Sequence, residues 1–152
     1  MKTQNLAGRI VVGLINDCLN NGKSLNQETT LTGKTIISNI KKAKESGYKI
    51  HLFYIGVSSV QVSIDRVKTR VDNGGHGVPL ENLLRRYEAS FENLRKVLPL
   101  CDRIIIYDNS EKEDSSYLVK KPLLYVCGNT LTLNKDIPKY MQGIISEYVS
   151  TL

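Results

Sequence analysis

Two short apolar runs, Lys49 to Ile55 (KIHLFYI) and Arg103 to Tyr107 (RIIIY), constrain the fold most strongly. Each is too short for a helix and too continuous for a strand with one wet face, as expected of strands covered on both sides in a parallel sheet. Helical patterns surround them. Leu6, Ile10, Val11, Leu14, Ile15, Cys18 and Leu19 recur at helical spacing, and Asn20-Asn21-Gly22 stops that helix. Ile36, Ile37, Ile40 and Ala43 mark a second helix ending near Gly47, and Val60, Ile64, Val67 and Val71 mark a third. After the glycine-rich break DNGGHG, Pro79 opens the clearest helix, whose stripe is Leu80, Leu83, Leu84, Tyr87, Phe91, Leu94 and Leu98. Ser24 to Thr29 reads as a further strand, weakened by the polar Asn26 and Gln27. Beyond Asp108-Asn109-Ser110 comes a polar loop, EKEDSS. LLYVCGNTLTL then predicts a hairpin turning at Gly128-Asn129. Ile137 to Leu152 closes the chain as an amphipathic helix carrying Tyr140, Met141, Ile144, Ile145 and Tyr148. The alternation through residue 107 argues for an α/β protein with a mostly parallel sheet.

A chain of 152 residues, 41% hydrophobic and 24% charged, is the size and composition of one ordinary globular domain. No apolar run reaches membrane-spanning length, and MKTQNLAGR lacks a signal-peptide core. Cys18, Cys101 and Cys127 are scattered without CxxC spacing, which predicts buried free thiols in a reducing cytoplasm and no metal site. The net charge of +6 suits either a nucleic acid or a site for phosphorylated ligands. Lys41, Lys42, Lys44, Lys120 and Lys121 form only short clusters, and no nucleic-acid-binding motif is recognisable, which disfavours the first.

A phosphate-cradling loop reads GxxxxGK[ST], its glycines letting backbone N–H groups curl round the phosphates. Two stretches end correctly but begin with an acidic residue: DCLNNGKS (Asp17 to Ser24) and ETTLTGKT (Glu28 to Thr35). In the first, Gly22 is better read as a helix C-cap. In the second, a carboxylate in place of the first glycine opposes phosphate on steric and electrostatic grounds.

The ordered series ETTLTG (Glu28 to Gly33), GYKIHLFYI, RVKTRV, GGHGVP, LLRRYEASFENL, LPLCDR and YDNS resembles the zeta-toxin-like P-loop kinases over about residues 6 to 110. The resemblance implies a three-layer, P-loop NTPase-like α/β fold, followed over 111–152 by the hairpin and helix. It also implies a kinase that uses ATP or GTP with Mg²⁺ to phosphorylate a hydroxyl of a UDP-activated amino sugar. Carried onto this sequence, Glu28, Thr29 and Thr30 would bind substrate. Arg70, Arg85 and Arg86 would match the lid arginines that neutralise the transferring phosphoryl group, a task suited to a permanently charged, forked donor. His76 in GGHG, and Asp108 and Asn109 at a strand end, would lie near the nucleotide. From the residues alone, Arg85 and Arg86 could equally be solvated helix flanks, His76 a surface histidine and Asp108-Asn109 a simple turn; His51 reads as a packed histidine. The family places its phosphate loop and a catalytic aspartate ahead of the helix matching Leu6 to Leu19, so the chain is expected to lack the first, central strand. That slot would be filled by the C-terminal hairpin, by another chain through self-association, or by an upstream peptide. An antitoxin is a further implied partner. The alternative expectation is a degenerate, non-catalytic module that binds an anionic ligand or a protein.

Overall fold

A computed structural model describes residues 2–111 and 121–152, with side chains from Arg9 onward. Most of the EKEDSS stretch, Lys120 and the Leu6 side chain lie outside the described residues. Helix α1 (Lys2–Asn20) is followed by α2 (Lys34–Glu45), β1 (His51–Gly56), α3 (Val60–Asp72) and α4 (Leu80–Val97). A single 3-10 turn (Leu98–Leu100) leads into β2 (Arg103–Asp108), the hairpin β3 (Leu124–Cys127) and β4 (Thr130–Leu133), and α5 (Lys139–Val149).

The helix ends follow local chemistry. Gly22 (φ 63°), Gly47 (φ 83°) and Gly74 (φ 83°) take the left-handed conformation just past α1, α2 and α3. In each case the next residue donates back into the last turn: Lys23 to Cys18, Tyr48 to Ala43, and Gly75 to Arg70. Gly22 is therefore the helix stop that its context suggested. Ser59 caps α3 by accepting from the Val62 N–H at 3.4 Å.

Among the described residues, four strands form one mixed sheet in the order β1-β2-β3-β4. β1 and β2 are parallel and in register from His51 opposite Arg103 to Gly56 opposite Asp108. β2 with β3, and β3 with β4, are antiparallel. The expected mostly parallel sheet is thus corrected: the hairpin adds two antiparallel pairings to one parallel pairing. The hairpin also lies beside β2, on the far side of the sheet from β1's other edge, so it does not fill a slot next to β1. Ser24 to Thr29 is irregular rather than a strand. Its polar Asn26 and Gln27 offer little to bury, and the strand prediction there gives way.

One face of the sheet carries the core. Leu52, Tyr54, Ile104, Ile106, Leu124 and Val126 alternate onto that face and pack against Leu94 and Val97 of α4 and Met141, Ile144, Ile145 and Tyr148 of α5, with Ile36, Ile37 and Ile40 of α2 alongside. Asp102 braces the start of the parallel pair: its carboxylate accepts from the Ile50 N–H at 2.9 Å, Lys44 at 2.7 Å and Lys49 at 3.2 Å. Those partners, led by Lys44, hold its carboxyl well below the usual carboxylate range.

The opposite face differs. RIIIY is buried on both sides, as expected, but Phe53 and Ile55 of β1 are 61% and 65% exposed. The expectation that KIHLFYI is covered on both faces is corrected, and with it the packed reading of His51, which is exposed. Ile10, Val11 and Leu14 of α1, and Leu80 and Leu84 at the start of α4, are also exposed. All three cysteines are free. Cys127 is exposed, against expectation, whereas burial pushes the Cys101 thiol up to about 12.

Candidate functional site

The two parallel strands end level, at Gly56 and Asp108. In open α/β sheets the crevice outside the carboxyl ends of such strands is where ligands bind. Three segments border it here: the loop before α2, the end of α3, and the outer half of α4.

The loop is shaped by Leu31. Its backbone sits at φ 55°, a left-handed conformation uncommon for a residue with a Cβ, while its side chain is buried in the core. The surroundings hold that geometry: Asn93 Nδ2 donates to the Leu31 carbonyl at 2.8 Å, and the Leu31 N–H donates to Thr29 Oγ1 at 3.0 Å. With Leu31 pinned inward, Glu28, Thr29 and Thr30 are left exposed. They line a cavity of about 670 Å³ together with β1 residues His51 to Ile55 and Ser90. Thr30 Oγ1 is 2.9 Å from Thr32 Oγ1.

A second cavity, about 330 Å³, is lined by Thr30, Tyr54, Arg70, Arg86, Tyr87, Ser90 and Phe91 among others. Thr30, Tyr54, Ile55 and Ser90 belong to both, so the two cavities form a continuous groove. The smaller cavity is walled by aromatic rings: Tyr87 and Phe91 meet edge-on at 4.9 Å, and Tyr54 lies 6.3 Å from Phe91. Tyr87 donates to the Val57 carbonyl at 3.2 Å. Burial raises the pKa of Tyr54 and of Tyr87, so both phenols stay neutral hydrogen-bonding groups. Among the described residues, the only charged ones lining this cavity are Arg70 and Arg86. Among the described residues, neither guanidinium has a hydrogen-bond or ion-pair partner. Two cations with no partner among the described residues give this partly apolar hollow a positive potential.

Gly75 lies against the base of the Arg70 side chain. A Cβ at Gly75 would come within 2.6 Å of Arg70 Cγ and 2.9 Å of the Arg70 carbonyl. The GGHG break therefore lets the chain fold back tightly over the end of α3. His76 itself is exposed and lines neither cavity.

The remaining residues singled out in the sequence stand apart from the groove. Arg85 points along its own helix to Asn82 Oδ1 at 3.3 Å and is exposed. Asp108 Oδ1 accepts from the Tyr140 hydroxyl at 2.7 Å, from the Ser110 N–H at 3.0 Å and from the Ser110 hydroxyl. The Asn109 N–H donates to the Gly56 carbonyl at 2.8 Å, and its own carbonyl accepts from Arg66 at 2.6 Å. This corner locks the strand ends to α3 and α5.

Tyr54, Tyr87, Ser90 and Phe91 were not singled out for function. Tyr54, Tyr87 and Phe91 belong to apolar strand and helix patterns and Ser90 to none, and only the fold shows that these residues wall a groove. The one available signal was the 4-residue spacing of Arg86 and Ser90, which puts both on one face of α4.

Fold and groove together define a mixed α/β protein with a cationic crevice at the carboxyl end of a parallel strand pair. The chain belongs to the Zeta toxin family, whose family model matches residues 1–117. That membership suggests a kinase-like P-loop fold, with which the observed elements are compatible. A relative from Haemophilus influenzae, described as an uncharacterized protein, is 38% identical over 81 residues, covering 53% of this chain and 58% of the relative. The chain thus matches little more than half the length of that relative. No solved structure matches. Among the described residues, no helix is long and apolar enough to cross a membrane.

Proposed function

We propose that this chain holds the acceptor side of a zeta-toxin-like phosphoryl-transfer site, binding a phosphate-bearing, hydroxylated small molecule of the UDP-sugar kind. The observation that carries the reading is that Arg70 and Arg86, neither of which has a partner among the described residues, share one cavity with Thr30. In this arrangement the arginines neutralise the ligand's phosphate. Glu28 and Thr30 orient its hydroxyl along the adjoining cavity, the carboxylate accepting and the threonine able to donate.

As a seat for the ATP or GTP with Mg²⁺ that family membership implies, the described residues fit poorly. ETTLTGKT has no strand before it, bends through a residue whose side chain is buried, and opens on a carboxylate. Asp108 is engaged by Ser110 and Tyr140. The role proposed for these 152 residues is therefore confined to holding the acceptor and compensating its charge. Binding is tested by calorimetric titration with UDP-N-acetylglucosamine. Saturable binding is expected, weakened about tenfold or more by Arg86→Ala, the loss of a charge-assisted hydrogen bond. Equal affinity in wild type, Arg70→Ala and Arg86→Ala would end the proposal.

A second reading is favoured by one observation: among the described residues, β1 pairs only with β2, and the larger cavity runs between β1 and the loop at 26–31. On this reading the chain is a non-catalytic module whose open β1 edge takes an extended apolar segment from a second polypeptide, another copy included. Phe53→Ser with Ile55→Ser would then abolish association in sedimentation measurements. Identical sedimentation with and without the substitutions would dismiss it.

A further inference from the structure

Where the two cavities join, Tyr54 and Ser90 face one another with their hydroxyl oxygens 2.9 Å apart. Two hydroxyls carry two protons, and the mutual bond uses one. No other partner for either hydroxyl occurs among the described residues. Either hydroxyl can donate in this bond; with a ligand oxygen in the groove, donation by the buried Tyr54 to Ser90 frees the Ser90 proton for that oxygen. Ser90 lies one helical turn beyond Arg86 on the same face of α4, roughly 5–6 Å from it by helix geometry.

We propose that Ser90, set by Tyr54, is a specificity-determining residue that donates to a ligand oxygen lying one helical turn from the anionic group held by Arg86. This rests on the acceptor-site reading above. It adds that the ligand is a phosphate ester with an oxygen-rich body directed toward Thr30, and that phosphate alone satisfies only half of the site.

The test compares two probes, inorganic phosphate and glucose 1-phosphate, titrated into the 152-residue chain. Wild type binds the sugar phosphate more tightly than phosphate. Ser90→Ala loses that preference, weakening the sugar phosphate about fivefold, the size expected of one hydrogen bond, with phosphate unchanged. Ser90→Thr retains the preference. Tyr54→Phe, which keeps the ring, reduces it and serves as the second variant should Ser90→Ala fold poorly. An unchanged preference in Ser90→Ala and Tyr54→Phe overturns the role of the pair, and so does equal weakening of both probes. If wild type binds neither probe, or if Arg86→Ala leaves both affinities intact, the acceptor-site reading itself falls and this inference falls with it.

Discussion

The two faces of β1 behave as if they belonged to different proteins. On one, Leu52 and Tyr54 join a core in which Ile104, Ile106, Leu124 and Met141 are wholly excluded from water. On the other, Phe53 and Ile55 stand mostly exposed, next to an edge that no described residue pairs. The strand is apolar throughout, so composition did not produce the difference. Neighbours did: α2, α4 and α5 pack on one side only. Leu52 and Tyr54 anchor the strand in the core, while Phe53 and Ile55 remain an exposed apolar pair at the rim of the groove.

This contrast can be broken most forcefully by truncation. Ile104→Ala removes a fully buried side chain and is expected to cost about 3 kcal/mol in denaturant unfolding, whereas Phe53→Ala costs well under about 1 kcal/mol. Comparable losses at both sites would mean that the exposed face is covered in solution.

Next in size is Asp102→Asn, expected to cost about 2 kcal/mol near neutral pH because it weakens bonds to Lys44, Lys49 and the Ile50 N–H. The sign of its pH dependence follows from the lowered folded pKa. The contribution is complete above the ordinary value of 3.8 and disappears as pH falls through the depressed folded value. Wild type and variant should therefore converge in acid. A gap that stays constant down to pH ~2 would contradict the assignment, since the carboxylate's advantage should shrink below its unfolded pKa.

Gly75→Ala sharpens the comparison at the groove. Its Cβ would press on the Arg70 carbonyl and side chain, so a loss of about 1 kcal/mol is expected, together with weaker anion binding through a displaced Arg70. Wild-type stability and affinity would show that the close approach is relaxed in solution. The smallest effect belongs to Arg85→Ala: within about 0.5 kcal/mol in stability, with unaltered binding, because that side chain is exposed and directed to Asn82.

Much of the fold was legible because its signals are local. Pro79 and the stripe from Leu83 to Leu98 announce α4, Gly128-Asn129 announces the hairpin, and RIIIY is as buried as it reads. What was illegible depends on contacts distant in sequence. Nothing near Asp108 indicates that Tyr140 will engage it, and nothing in KIHLFYI says that one of its faces is left open. Ser24 to Thr29 is irregular because its polar residues bury little and it pairs with no strand among the described residues. The site was half visible. ETTLTG and the arginines were conspicuous, but separating Arg86 from Arg85 required the rotational position of α4 over the groove. The Tyr54–Ser90 contact spans 36 residues and leaves no local trace.

The central claim is that the anion site lies at Arg70 and Arg86 and not at the amides of the loop before α2. Amide NMR mapping during titration with inorganic phosphate tests it most directly. The account predicts saturable shifts centred on Arg70, Arg86, Tyr87 and Thr30, abolished in the Arg70→Ala, Arg86→Ala double variant. Shifts centred on the amides of Gly33, Lys34 and Thr35, and persisting in that variant, would contradict it.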